Sequence, residues 1–466
     1  MYECPNCGGN LKFDIASQQL KCDYCLTMKD PYEVTKDKDA EESNAFDVTV
    51  FTCPQCGGEI LSTDTSVAEF CSFCGASTIL DSRISKEKRP AYIIPFQQTK
   101  DACKEIYLAK MKHAIFAPNE LKDKKYIDSF RGIYIPYWAY TISHKGHIHM
   151  TGKKTYQRGD YQYTDHYGLS GDIDACYGDL SYDASSSFSD TISEQIAPFD
   201  VKQTKKFTPS FLSGFYADTA DVGSDVYKDD AIKIANNSSY SKLKNLPDFK
   251  DLTLSSGSSN SDLNTLLHTH CDAPERTLYP VWFMSYRKGD RVAYATVNGQ
   301  TGKIAADIPV DSKKYILGSL LLALPIFLLL NLFFTFKPTF TLGVSVVLAI
   351  LTFVIHMSEV RKINQRDQRT DDRGYLFQQS EKADSSQKGK TSSAARGGGS
   401  FGSLVAVIIA VLIFIINPVA DFWYYGGTII AFIGILFTII AIIRKYNILA
   451  TRKLPQFDRT GGDDRA

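Results

Sequence analysis

The chain has 466 residues, 52 Lys+Arg against 52 Asp+Glu, and 44% hydrophobic residues, a length that fits about three domains at ~150 residues each. This composition excludes collagen-like, disordered and small disulfide-scaffold classes. The mean hydropathy of −0.17 and the zero net charge both average over unlike segments, because four apolar runs follow residue 314 and most of what precedes them is polar.

The N-terminus, MYECPNCGGN, has neither a basic n-region nor an apolar h-region, so no signal peptide is expected. Eight of the eleven cysteines lie in the first 74 residues as four C-x-x-C pairs. Cys4, Cys7, Cys22 and Cys25 form C-x2-C-x14-C-x2-C, and Cys53, Cys56, Cys71 and Cys74 repeat the pattern 49 residues further on. The flanks repeat as well, CPNCGG against CPQCGG and CDYC against CSFC, which marks an internal duplication.

Paired C-x-x-C spacing in an unsecreted chain points to metal before disulfides. Each pair lets two thiolates grip one ion from a tight turn, and Gly8-Gly9 and Gly57-Gly58 allow the positive φ such a turn needs. The intervening residues suit a hairpin, with Leu11-Lys12-Phe13 returning through Gln19-Leu20-Lys21. Four soft thiolates in a tetrahedron select Zn2+, with Zn–S about 2.3 Å. Protein fills all four positions and leaves none for an activated water, so both zinc sites are expected to be structural. Redox-active pairs, which normally come singly in a βαβ context, and an iron site of rubredoxin type are the rival readings.

Residues 1–30 are read as the first zinc ribbon, 31–48 as an acidic linker and 49–80 as the second ribbon. Residues 1–80 hold five Lys, no Arg and thirteen Asp+Glu, net −8, and two four-thiolate zinc centres take the segment to about −12. Phosphate binding needs the opposite sign. DNA or RNA binding through the ribbons is therefore not expected, and protein partners are favoured.

Residues 81–311 read as an α+β domain. Thr99-Lys100-Asp101 looks like a helix start followed by Ala102–His113, and Gly132–Ile142 and Tyr279–Tyr286 read as strands. Val292–Val297, Asn298-Gly299 and Gln300–Ile304 suit a hairpin. Further helices are expected near Asp190–Ile196 and Asp221–Ala235, and a loop over Lys244–Asn264. Ile135-Pro136-Tyr137-Trp138 echoes Tyr279-Pro280-Val281-Trp282. Because proline in a strand implies an edge or a bulge, these are expected to be related strands packing Trp138 and Trp282 in the core, with ligand stacking as the other reading.

No G-x-S-x-G, Walker loop, H-E-x-x-H or Gly-rich dinucleotide fingerprint occurs, and no enzyme is expected. His144, His147 and His149, then His268, His270 and Cys271, are the next metal candidates, but polar side chains facing solvent are the simpler reading. Cys103, Cys176 and Cys271 are most simply buried small residues, although a lone cysteine can serve as a nucleophile.

Four apolar runs, Tyr315–Phe336, Thr339–Met357, Phe401–Ala420 and Phe422–Ile443, have near the ~20 residues that cross a bilayer. They give two expected transmembrane hairpins, 315–357 and 401–443, joined by a basic loop and Gly/Ser linker over 358–400 and followed by a tail over 444–466. Ser358–Ser400 holds nine Lys+Arg and the tail six, whereas the hairpin tips carry only Lys337. The positive-inside rule then places both termini in the cytoplasm of a multi-pass bacterial membrane protein in contact with lipid, and a reducing compartment suits the thiolates. The expected fold is thus multi-domain: two tandem zinc ribbons, an α+β middle domain and four transmembrane α-helices in two hairpins.

The order of tandem CPxCGG ribbons, Pro95-Phe96, Tyr134-Ile135-Pro136-Tyr137-Trp138, Pro280-Val281-Trp282, Val297-Asn298-Gly299-Gln300-Thr301-Gly302-Lys303 and apolar spans resembles the bacterial TFIIB-type zinc-ribbon-containing membrane proteins of Gram-positive bacteria, over about residues 1–335. The second apolar pair and its linker depart from that shorter pattern. The resemblance implies a membrane-anchored adaptor that works in envelope stress with a phage-shock-protein-A-like protein and an SPFH (flotillin-like) protein. For site residues it extends to the eight zinc cysteines alone. Three functional expectations result: a non-enzymatic adaptor recruiting cytosolic proteins to the membrane, a membrane-tethered transcription regulator using the ribbons on nucleic acid or polymerase, and a transporter-like or lipid-handling protein, which four spans without buried charge disfavour. Oligomeric state is left open.

Overall fold

A computed structural model describes residues 2–35, 45–63, 71–76, 81–249, 251–254, 260–333, 338–369, 372–377 and 421–455, with isolated positions between 401 and 420. Two sheets organise these residues. The first is a small antiparallel sheet of Leu11–Asp14, Gln19–Cys22 and Met28–Lys29, paired with Phe13 opposite Leu20 and Lys12 opposite Lys21.

The second is a 14-stranded mixed sheet. Its core is Arg131–Arg158 lying antiparallel to Glu275–Lys288, with Ile135 opposite Tyr279. About that pair the two strands repeat each other in reverse: Pro136 and Pro280 stand one residue beyond it, and Trp138 and Trp282 three residues beyond. The expected edge or bulge position of these prolines is not what forms. Each proline lies inside the sheet, at the place where its strand exchanges neighbours. Arg131–Arg158 leaves Tyr216–Asp218 after Tyr134 and takes up Tyr161–Asp183 at Tyr137. Glu275–Lys288 leaves Tyr92–Ile93 after Leu278 and takes up Arg291–Asn298 at Val281. At such a gap no ladder N–H is required, which is what proline lacks. The carbonyls still find donors, Ala184 N at 2.7 Å from Pro136 O and Gly299 N at 2.8 Å from Pro280 O.

Trp282 is buried and donates from Nε1 to Gln98 O at 2.8 Å, while Trp138 is half-buried and donates to Val222 O at 2.8 Å. The helix expected after Thr99 runs over Lys100–His113, and the Thr99 side chain accepts from Ala102 N. Asp190–Ile196 is helical. The helix expected over Asp221–Ala235 begins later, at Lys228, and continues to Lys244. The loop expected after it contains the strand Thr253–Leu254 and the helix Asn260–Leu266.

The ribbons are built into this body. The cysteine-bearing loops of residues 53–56 and 71–74 sit on Ala45–Thr52, Glu59–Ser62 and Asp81–Lys88, which belong to the large sheet through Tyr216–Asp218. The first ribbon docks by its apolar face: Phe13 meets Phe211 with ring centroids at 5.2 Å, Ser213 Oγ donates to Leu11 O at 2.6 Å, and Gln18 Nε2 donates to Phe96 O at 2.8 Å.

Beyond residue 311, helices occupy Ser312–Phe333, Pro338–Asp367 and Asp421–Leu449. Among the described residues, however, no helix is long and apolar enough to cross a membrane. The first opens on Ser312-Lys313-Lys314, and the second ends in the polar stretch Ser358–Asp367, with Glu359, Arg361, Lys362, Arg366 and Asp367. The third apolar run, 401–420, lies largely outside the described residues. This overturns the four transmembrane helices of the expected fold and, with them, the multi-pass bacterial-membrane location. The helices do expose large apolar side chains, among them Leu321, Leu322 and Phe437. Their ends are tied to the sheet: Asn447 exchanges two hydrogen bonds with the Val310 backbone, Arg366 pairs with Asp307 at 2.6 Å, and Arg452–Lys453 adds a strand beside Arg291 and Val292.

Candidate metal centres

In each C-x-x-C turn the residue four places after the first cysteine donates its amide back to that cysteine's carbonyl. The bonds are Gly8 to Cys4 at 2.8 Å, Leu26 to Cys22 at 3.1 Å, Gly57 to Cys53 at 2.8 Å and Gly75 to Cys71 at 3.0 Å. All four donors have positive φ, at 71°, 59°, 74° and 70° respectively. Of each Gly-Gly pair, then, only the first glycine uses left-handed backbone. Gly9 serves another purpose, since a Cβ there would lie 2.5 Å from the Tyr24 ring.

These turns gather the cysteines into two groups, Cys4, Cys7, Cys22, Cys25 and Cys53, Cys56, Cys71, Cys74, whose sulfur atoms within each group all lie within 4.8 Å of one another. A tetrahedron with 2.3 Å Zn–S bonds has edges of about 3.8 Å. The Cys53–Cys74 and Cys56–Cys71 sulfurs are 3.8 and 3.7 Å apart, and the Cys4–Cys25 and Cys7–Cys22 sulfurs 3.4 Å. Each group can therefore hold a metal ion, and a set of four thiols is the donor chemistry that suits zinc. In the second group hydrogen bonds from Cys56 and its neighbours push the Cys53 thiol down, while the same network, Cys53 foremost, pushes Cys71 up. In the first, the Thr27 hydroxyl and amide hold Cys25 at about 6.

The two groups differ in burial. All four cysteines of the second are buried, whereas Cys7 and Cys25 of the first are exposed. Around the exposed turn stand three large apolar side chains, Tyr24 at 80% exposure, Leu26 at 63% and Met28 at 48%. Exposed Asp23 and Asp30 flank them. The second ribbon is instead covered by the large sheet, with Tyr294 donating to Phe73 O at 2.7 Å and Arg287 to Gln55 Oε1 at 2.6 Å.

Among the described residues only the two cysteine groups bring three or more ligand atoms together. His144 is buried within a hydrogen-bond network, 2.7 Å from Ser239 Oγ and 3.0 Å from Asn236 Oδ1, and burial lowers its pKa. His147 and His149 share the exposed face of the strand, with His147 Nδ1 2.7 Å from Asp172. His268 Nε2 lies 2.9 Å from His147 O, and His270 is 3.4 Å from Asp272. Cys103 is fully buried, and burial pushes its thiol up to about 12. Cys271 is half-buried and Cys176 exposed, so only Cys103 is the buried small residue expected of all three. Sequence reasoning missed the apolar surface at Tyr24, Leu26 and Met28; its signal was the replacement of a knuckle glycine by leucine.

Comparison with known proteins adds one relative. "Uncharacterized protein YdjG" of Bacillus subtilis (strain 168) is 26% identical over 317 residues, covering 67% of this chain and 91% of that protein. No family model and no solved structure matches.

Proposed function

We propose that the chain is a non-enzymatic adaptor whose two cysteine groups are structural zinc ribbons of the TFIIB type and whose first ribbon docks other proteins. The observation that carries this reading is the cluster of Tyr24, Leu26 and Met28, exposed on a metal-stiffened turn beside Asp23 and Asp30. An exposed apolar cluster suits a protein partner with an apolar socket, since interface cores are enriched in aromatics and methionine, and Asp23 at its border is already paired with Lys12 at 2.8 Å. The net charge of −8 over residues 1–80 opposes a phosphate backbone. The resemblance makes phage-shock-protein-A-like and SPFH proteins the first partners to test.

The test is in-cell crosslinking of the intact chain against a Tyr24→Ser, Met28→Ser variant with unchanged metal content. The reading requires that one of those partners co-purify with the native chain and be lost from the variant. Equal recovery from both, or recovery of nucleic acid or RNA polymerase through the ribbons, overturns it.

A further inference from the structure

A cavity of about 360 Å³, lined by no ribbon residue, opens between the end of the Tyr161–Asp183 strand, the Asp190–Ile196 helix and the Lys228–Lys244 helix. Its volume lies within the range of small-molecule sites, roughly 300–1,000 Å³. Asp183 lines it and is only 3% exposed. A carboxylate offers about four lone-pair sites. Among the described residues, Asp183 has the Ser193 hydroxyl as its side-chain partner and no cationic side chain paired with it. Ser193 Oγ is in turn 2.8 Å from Tyr137 OH.

Asp190 lines the same cavity, accepting from Tyr227 OH at 2.8 Å and from Arg373 N at 2.9 Å. The cations near the mouth do not balance these two acids. The Arg373 guanidinium is bridged to Asp230, and Lys233 is exposed at the rim together with Glu194. The walls are aromatic: Phe199 lies 5.7 Å from the Tyr137 ring, and Tyr182 stacks on Tyr227 at 5.0 Å with the planes 2° apart. Desolvation is the first cause that raises the pKa of both carboxyls, and at Asp190 it outweighs the Arg369 guanidinium, which is itself paired with Asp372. Buried, under-partnered carboxylate and aromatic faces are together what an organic cation requires.

We propose that this cavity binds a small aliphatic amine, with its ammonium seated at Asp183 and Asp190 and its methylenes against Tyr137, Phe199 and Tyr227. An ammonium supplies three donors and no acceptor, which complements the open lone pairs. The proposal is independent of the ribbons and of what they dock.

The probe is cadaverine, titrated calorimetrically into the full zinc-loaded chain, with 1,5-pentanediol and glutarate as uncharged and anionic counterparts of the same length. The expected result is binding of cadaverine alone. Asp183→Asn should weaken it at least tenfold, whereas Asp174→Asn, on an exposed stretch of the same strand, should leave it unchanged. A second readout needs no variant: cadaverine, and neither counterpart, should raise the melting temperature of the native chain in proportion to its saturation. Absence of cadaverine binding, equal binding of the diol, or full affinity in a folded Asp183→Asn protein would each overturn the site.

Discussion

Leu26 stands in the first ribbon where Gly75 stands in the second. Each is four residues after a ligating cysteine, each returns its amide to that cysteine's carbonyl, at 3.1 and 3.0 Å, and their φ angles are 59° and 70°. A β-carbon in this backbone region costs roughly 1–2 kcal/mol, and glycine's extra unfolded-state entropy returns roughly 0.5–1 kcal/mol of any gain. Leu26→Gly should therefore stabilise the metal-loaded chain by about 0.5–1 kcal/mol, seen as a higher denaturant midpoint at unchanged slope. The reverse change, Gly75→Leu, adds crowding, since a Cβ there would lie 3.2 Å from Ser285 Oγ and 3.3 Å from Arg287 Cβ. It should cost more than about 2 kcal/mol. A neutral or destabilising Leu26→Gly would mean that the exposed leucine packs in a way its 63% exposure does not show.

Metal release should occur in two steps. Cys7 and Cys25 are open to solvent, while all four cysteines of the other group are buried. A chelator followed by a colorimetric zinc indicator should strip the first ribbon well before the second. Cys53→Ser should remove the slow phase and Cys7→Ser the fast one. Release in a single phase, or fast release from the Cys53 group, would contradict the burial difference.

Asp218 is buried, and desolvation pushes its carboxyl up to about 7 even though Ser187 and Ser185 donate to it. Between the ordinary carboxyl value of 3.8 and about 7 the folded state holds a proton that the unfolded chain has lost. Stability from this group is therefore present below about pH 4, falls as pH rises toward 7, and is flat above. Asp183, Asp190 and Asp372 are shifted in the same direction. Asp218→Asn keeps an acceptor for the two serines but turns an NH2 toward the Thr219 amide, which donates to Oδ1 at 2.9 Å, a fixed cost at every pH. Its melting temperature relative to the native chain should therefore be highest at pH 8. That difference should fall steadily toward pH 5. Taking the difference from the native chain cancels the acid loss of zinc, which has the opposite sign. A difference independent of pH would show that Asp218 does not titrate in this window.

Asn298 uses both ends of its amide while fully buried. Oδ1 accepts from Gln300 N and Thr301 N, each at 2.9 Å, and Nδ2 donates to Ile196 O at 2.9 Å and Pro198 O at 3.3 Å. It thereby fixes the turn after Arg291–Asn298 and joins it to the Asp190–Ile196 helix. Asn298→Ala leaves several buried groups without partners and should cost about 2–4 kcal/mol by denaturant melting. Asn298→Asp retains the acceptors but turns an oxygen toward two carbonyls, so it should be no better tolerated. Loss of under about 1 kcal/mol would remove Asn298 from this role.

The ribbons were legible because their signal is local: four cysteines at fixed spacing, followed by the residue that must reverse the chain. The helix after Thr99 was legible for the same reason. The neighbour exchange at Pro136 and Pro280 was not, because it depends on which distant strands, Tyr216–Asp218 and Arg291–Asn298, arrive on the far side. The cavity was equally hidden, since Asp183, Asp190 and Tyr227 come from three separate elements and form no motif. Apolar runs near 20 residues read as membrane spans by length and hydropathy alone. Those criteria register neither the polar continuation Ser358–Asp367 nor the hydrogen bonds between Asn447 and Val310 that tie a helix end to the sheet.

As proposed, both cysteine groups are zinc centres, and one of them stiffens the docking turn. Elemental analysis combined with zinc X-ray absorption on the intact chain tests this most directly. Two zinc ions per chain are expected, each with four sulfur neighbours at about 2.3 Å. Iron in place of zinc, disulfides within the pairs, or a single metal held by Cys53, Cys56, Cys71 and Cys74 alone would contradict it.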